Sequence, residues 1–268
     1  KPTVIFFEGD STAPIRVDNS MVFRASLDRA ERLPSEHAMP GFCQDLAQVY
    51  CGGDVRVRPY RSRPTVGFCG HASAPKEEVR YALLQHSPRW LLKLLLRLGM
   101  SSEIAIGRAL RRRAMRRLAA VKGVECNFVV RQRFWNGVYG SDGQMNLQLA
   151  QESRLAFVQN LLDSDYALCV RGFGNYSFRL YEALSLGRIP VFINTDCVLP
   201  YDRWIDWKRY VVWVEQSEVD RIAETVQEFH ASLTPAGFAD LQRSCRQLWD
   251  EWLSPHGFFA QFHRHFEG

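Results

Sequence analysis

Arg171-Gly172-Phe173-Gly174-Asn175-Tyr176 lies between an apolar run, Tyr166–Val170, and Ser177, which opens a helical pattern. A strand, a glycine-bearing loop and a helix N-terminus make an anion site at the C-terminal edge of a parallel sheet. The glycines let backbone N–H groups approach, and the helix dipole favours negative charge there. Arg171 and Arg179 flank the loop and suit bidentate contact with a diphosphate. Glu182 follows Arg179 by one helical turn, and its carboxylate can accept two hydrogen bonds from a ribose 2′,3′-diol. Asn194 closes the next apolar run and falls at the same sheet edge. Each residue also has a plainer reading: Gly172 and Gly174 as a turn, Arg179 and Glu182 as an i,i+3 ion pair, Ser177 as an N-cap alone. Two arginines, a serine cap and a glutamate together favour the anion site.

Competing nucleotide motifs fail on detail. Gly172-x-Gly174-x-x-Ser177 lacks the third glycine of a dinucleotide fingerprint and follows the third strand of its domain. Asn194, not an acid, stands about 20 residues on. No Gly-Lys-Ser/Thr occurs, which excludes a P-loop.

The elements that must position these residues are legible as short apolar runs. Val4–Phe7, Met21–Arg24, Thr65–Cys69, Asn127–Val130, Tyr166–Val170, Ile189–Ile193 and Val211–Val214 read as buried strands. Helical patterns cover Pro75–Gln85, Ser102–Val121, Gln151–Leu162, Ser177–Leu186, Glu218–His230, Gly237–Trp252 and Pro255–Phe266, with a short helix after the loop-rich Pro34–Phe42. Alternation of this kind predicts an α/β fold, a parallel sheet with helices on both faces. Residues 61–268 form a self-contained Rossmann-like domain in this reading. Residues 1–60 read as the tail of a second one plus a linker around Gly52–Pro64.

Net charge is +5, too mild to point to nucleic acid, but it is unevenly spread. Residues 80–133 hold 13 Lys+Arg against 2 Asp+Glu. In Ser102–Val121, Leu110, Ala114 and Leu118 form one stripe and arginines cover the rest, either as a solvated face or as a surface for an anionic partner. With the preceding Trp90-Leu-Leu-Lys93 run, residues 90–121 could contact a membrane interface peripherally, against the alternative of a buried helix with snorkelling cations. The basic run has no interleaved aromatics and no DNA- or RNA-reading motif accompanies it, so nucleic acid is not an expected partner. Seven cysteines without metal-ligand spacing read as buried thiols, and no metal site is expected. The opening Lys1-Pro2-Thr3 shows no leader pattern and suggests a start further upstream.

Cys169-Val-Arg-Gly-Phe-Gly-Asn-Tyr-Ser-Phe-Arg-Leu-Tyr-Glu-Ala-Leu-Ser-Leu-Gly-Arg-Ile-Pro-Val191 resembles the signature of the exostosin-type glycosyltransferases. Val198-Leu-Pro-Tyr201 and Ile205-Asp-Trp207 match the family's downstream stretch. Val66-Gly-Phe-Cys-Gly70 resembles the opening strand of its C-terminal domain. Phe23-Arg-Ala-Ser-Leu27 and Ala38-Met-Pro-Gly-Phe42 resemble the link from its N-terminal domain.

The resemblance implies a GT-B-type, inverting enzyme of hexosyl- or glycuronosyl-transfer type. Such an enzyme takes a nucleotide-sugar donor, UDP-sugar favoured, and a glycan or other hydroxyl acceptor, without metal or other cofactor. Arg171, Gly172, Gly174, Asn175, Ser177, Arg179, Glu182 and Asn194 become donor-site candidates. Arg131, which closes Asn127-Phe-Val-Val-Arg131, resembles an arginine of bacterial members and joins them; surface solvation is its rival reading. The catalytic base is not identified. Asp10 and Glu8 follow a strand end and could face the cleft, Asp10 being the named candidate and His37 a weaker one. The departure from the family is that most of the N-terminal domain is missing. A non-catalytic exostosin-like binding or scaffold protein is the alternative. The resemblance places eukaryotic members in the Golgi membrane and bacterial ones in the cytoplasm, so localisation stays open, membrane association included.

Overall fold

In the computed structural model the described residues are 3–72, 103–132, 134–139 and 143–267. The helix expected over Pro75–Gln85 and the Trp90 run lie outside them. All seven expected strands form, and with them one more. Strands β1 (Thr3–Phe7), β2 (Ser20–Arg24) and β3 (Glu36–Ala38) make a parallel sheet in the order β1-β2-β3. β3 escaped the sequence reading because it is three residues long and two of them, Glu36 and His37, are polar yet buried. Helix α1 (Leu46–Cys51) follows, capped by the Asp45 side chain on Gln48 N–H.

The second sheet comprises β4 (Thr65–His71), β5 (Glu125–Arg131), β6 (Tyr166–Cys169), β7 (Ile189–Asn194) and β8 (Val212–Glu215), all parallel, in the order β5-β4-β6-β7-β8. Helix α2 (Glu103–Ala119) packs with α5 (Ile222–Ala231). Helices α3 (Leu147–Leu162), α4 (Phe178–Ser185) and α6 (Pro235–Leu248) pack on the sheet elsewhere, α6 against α4 and β7. Helix α7 (Pro255–Ala260) and a 3-10 segment, Phe262–Phe266, end the chain. In the helix expected over Gly237–Trp252, α6 gives way to a π-helical turn at Trp249–Leu253. The expected α/β architecture with a parallel, Rossmann-like sheet is therefore present.

The strand order has a consequence for binding. Chain order reverses between β4 and β6, and there the crevice of a doubly wound sheet opens. Pairing of β4 with β6 is confined to Val66↔Tyr166 and Gly67↔Ala167, although β4 runs on to His71. Beyond Gly67 the two strands part.

Two buried polar features hold the first sheet. Arg24 and Glu36 are fully buried and pair at 2.8 Å, and Glu36 also accepts the N–H groups of Ile15 and Leu33. His37 and His265 lie 5.0 Å apart between ring centroids, with His265 also against Phe23 and Tyr201 at 4.9 Å each. Burial, then nearby arginines, lowers His37 to about 4; burial, then His37, lowers His265 to about 4.

Two predictions follow from these contacts. Arg24→Leu leaves Glu36 buried without its cation, which costs about 3–5 kcal/mol; thermal unfolding should show a drop of roughly 10 °C. Both histidines fold with depressed proton affinity. Their contribution is thus complete above the ordinary histidine range and lost as pH falls through about 4. Unfolding at stepwise pH should show the midpoint falling between pH 7 and 4, less steeply in His265→Phe.

Candidate functional site

Beyond Gly67 the parted ends of β4 and β6 hold two guanidinium groups. Arg111 of α2 donates to His71 O at 3.2 Å and to Val170 O at 3.4 Å, bridging both strand ends. Arg179 of α4 donates to Cys69 O at 2.8 Å and lies over the Phe68 ring, 4.4 Å from its centroid. Burial, with Arg179 and Arg108 beside it, lowers Arg111 to about 9; burial likewise lowers Arg179. Two cations pressed together at a strand-end crevice are relieved by an anion, and their planar forks suit phosphate oxygens.

α2 sits directly on the glycine loop. A Cβ on Gly107 would meet Gly172 O at 2.5 Å and Arg171 O at 2.8 Å, so only glycine permits this approach. Helix α4 starts at the same place. Ser177 occupies the N-cap position, but its side chain makes no capping hydrogen bond. The first-turn amides of α4 therefore lack the side-chain cap the sequence suggested.

Several expected donor-site residues have other work. Asn175 is fully buried. Its N–H goes to Ser26 Oγ at 2.9 Å, its Nδ2 to Asp28 and to Thr195 O, and its Oδ1 accepts from Thr195 Oγ1 at 2.6 Å. It joins the loop to the 25–30 segment and to the β7 end, and leaves no group for a ligand. Gly174 is small because that segment comes close: its Cβ would meet Asp10 Oδ1 at 2.8 Å and Ser26 Oγ at 3.0 Å. Gly172 donates its N–H to Tyr176 O at 3.1 Å, the turn of the plainer reading. Asn194 donates to Glu215 Oε2 at 2.8 Å across β7 and β8. Arg171 donates to Phe173 O within its own loop.

The i,i+3 pair of Arg179 with Glu182 does not form. Glu182 is buried and accepts from Arg154 of α3 at 2.5 Å. Burial pushes its carboxyl up while Arg154 pulls it back. Arg131 stands at the end of edge strand β5, donates to Ser153 O at 2.6 Å and lines a cavity of about 670 Å³ with Gln132, Asn136 and Glu152. Asp10 is exposed and faces the glycine loop, while His37 lies in the buried aromatic cluster described above.

The arginine run of α2 is not a uniform outer face. Arg111 enters the crevice. Arg113 is buried and pairs with Asp220 at 2.5 Å, joined there by Arg117 at 2.8 Å. These pairs hold Asp220 well below the usual carboxylate range. Sequence reading missed Arg111 because it treated the arginines as one group. A signal was present: Gly107, Arg111, Ala114 and Leu118 share one helical stripe, the inward one.

With this geometry in view, comparison with known proteins is informative. Residues 127–229 match the Exostosin GT47 domain. Exostosin-1 of Drosophila melanogaster is 32% identical over 93 residues, 35% of this chain and 12% of that protein. A probable glucuronosyltransferase of Oryza sativa subsp. japonica is 34% identical over 74 residues, 28% of this chain and 17% of that one. An Exostosin-1 homolog of Caenorhabditis elegans is 30% identical over 100 residues, 37% of this chain and 25% of that protein. The matches thus span a quarter or less of each of these relatives. Among solved structures, TarM gives a TM-score of 0.41 at 10% identity over 99% of this chain and 55% of that chain. The spinosyn rhamnosyltransferase SpnG, complexed with thymidine diphosphate, gives 0.35 at 12% identity over 91% of this chain and 56% of its own. The exostosin-type resemblance seen in the sequence is borne out over the matched segment, which contains the glycine loop, α4, Arg131 and Arg179. Arg111 lies before it.

Gly107→Ala should push α2 away from the loop. We expect a stability loss of roughly 1–3 kcal/mol from overpacking, read as a lower melting temperature, together with weaker binding of inorganic pyrophosphate.

Proposed function

We propose that this chain binds the donor of a glycosyltransferase and transfers a sugar from a nucleotide-diphosphate sugar to a hydroxyl acceptor with inversion. The observation that carries the reading is the pair Arg111 and Arg179 in the β4/β6 crevice, beside the start of α4. A diphosphate there gains two guanidinium partners and a helix N-terminus. The same groups stabilise the charge that develops on the diphosphate as the glycosidic bond breaks. Because two arginines and a dipole meet that charge, binding proceeds in this reading without a metal ion.

Glu182 remains the proposed ribose partner through the oxygen not engaged by Arg154. UDP is the favoured nucleotide. The glucuronosyltransferase names of several relatives make UDP-glucuronic acid the first donor to try. A glycan or another hydroxyl compound is the proposed acceptor. Peripheral membrane contact through residues 90–121 has less behind it, since Arg111 and Arg113 turn inward.

Scanning fluorimetry and calorimetry with UDP in EDTA test the reading. UDP should raise the melting temperature, and Arg179→Ala should lose about a hundredfold in sugar transfer, as expected for one contact strengthened in the transition state. Arg111→Gln should weaken UDP and pyrophosphate alike. Glu182→Gln should weaken UDP but leave pyrophosphate unchanged. No UDP affinity, or affinity only with added Mn²⁺, would refute the proposal.

A further inference from the structure

Asp10, three residues beyond the end of β1, is exposed, yet it is fixed on two sides by the glycine loop. Its backbone carbonyl accepts from Ser26 Oγ at 2.8 Å, and the same buried hydroxyl accepts Asn175 N–H at 2.9 Å. One serine thus ties the Asp10 backbone to the loop backbone. The Tyr176 ring lies beside the Asp10 carboxylate: Tyr176 Cε1 and Asp10 Oδ1 each stand 2.8 Å from where a Gly174 Cβ would be. The tyrosine is half-buried, and burial, then Asp10 and Glu8, pushes its hydroxyl upward, so it stays protonated next to the carboxylate. Other charged groups facing this loop include Glu8, Asp28 on the Asn175 amide, Arg171, and Arg111, whose Nη2 stands 3.6 Å from where a Gly172 Cβ would be.

A carboxylate held here repels a diphosphate and cannot be one of its ligands. It is, however, accessible, and it comes from the loop that follows β1, whereas the crevice arginines belong to α2 and α4. Resting on the glycosyltransferase reading, we propose that Asp10 is the general base and that Tyr176 and Ser26 are positioning residues that aim it. In the step, the acceptor O–H bond breaks and its proton passes to Asp10. The acceptor oxygen bonds to the anomeric carbon, and the bond from that carbon to the diphosphate oxygen breaks. The electron pair leaves on UDP, and Asp10 later returns its proton to solvent. Water takes the acceptor's place in slow hydrolysis. Ser26 thus joins the base to the loop that leads into α4.

The test uses the full chain with UDP-glucuronic acid and UDP-glucose, reading UDP release in water, and with UDP alone, reading affinity. Asp10→Asn should slow UDP release about a hundredfold or more while UDP binds as tightly as before or tighter. Tyr176→Phe, which alters the group packed beside the carboxylate, should lower turnover with UDP affinity unchanged. A merely structural tyrosine would lower the melting temperature and leave turnover per folded chain in place. Ser26→Ala, kept if its melting temperature shows a folded chain, should lower turnover without weakening UDP. Wild-type UDP release by Asp10→Asn, wild-type turnover in Tyr176→Phe, or no UDP release by a chain that binds UDP would overturn the base assignment. No UDP binding by the wild-type chain would instead overturn the donor-site reading beneath it.

Discussion

The parting of β4 and β6 beyond Gly67 is the constraint on which the site depends. A parallel sheet whose chain order reverses must open at that point, because its two crossovers leave in opposite directions. The opening exposes strand-end carbonyls, and Arg111 and Arg179 fill it by donating to Cys69 O, His71 O and Val170 O. Those contacts orient the guanidinium groups without neutralising them. Carbonyl dipoles hold the cations in place, and their mutual repulsion remains for an anion to relieve.

The two sheets are joined just beside this crevice. Asp28 forms an antiparallel bridge with Cys197, Arg29 N–H donates to Asp196 O, and Val198 N–H donates to Leu27 O. Asn175 completes the junction from the loop side. Arg246 adds a second tie, donating to Asp45 at 2.6 Å and to Ser185 O at 2.6 Å, and so fixes the cap of α1 to the end of α4. Hydrogen bonds at such a junction are geometrically strict, and Gly174 and Asn175 stand where the loop meets the first sheet. The glycine loop therefore serves two masters: its outer side receives the first sheet, and its inner side receives Gly107 of α2.

The local order of elements around the site was legible before any coordinates. The strand, glycine loop and helix order around residues 166–186 predicts an anion site at a sheet edge, and Arg179 does stand at that edge. Asn175 and Asn194 illustrate what such reasoning misses. Both lie at the right edge, and both are engaged, one by Ser26, Asp28 and Thr195, the other by Glu215. An amide that can serve a ligand can equally serve a neighbouring loop, and sequence spacing does not distinguish the two. Glu182 makes the same point. Its helical neighbour was Arg179, but its partner is Arg154, 28 residues away in sequence and adjacent only after α3 and α4 pack.

Sequence alone determined the α/β class, seven of the strands, most of the described helices and the strand–loop–helix order around the glycine loop. These are local matters: apolar runs, turn residues and caps act within a few residues. Tertiary structure decided which arginines enter the crevice, that Arg113 and Arg117 neutralise Asp220, and that Tyr176 meets Asp10. Each depends on strand order and on helix packing between residues 40 or more positions apart in the chain. A helix of alternating arginines offers several equivalent cations. Only the docking of Gly107 on the loop rotates α2 so that Arg111, and not Arg112, points at the parted strands.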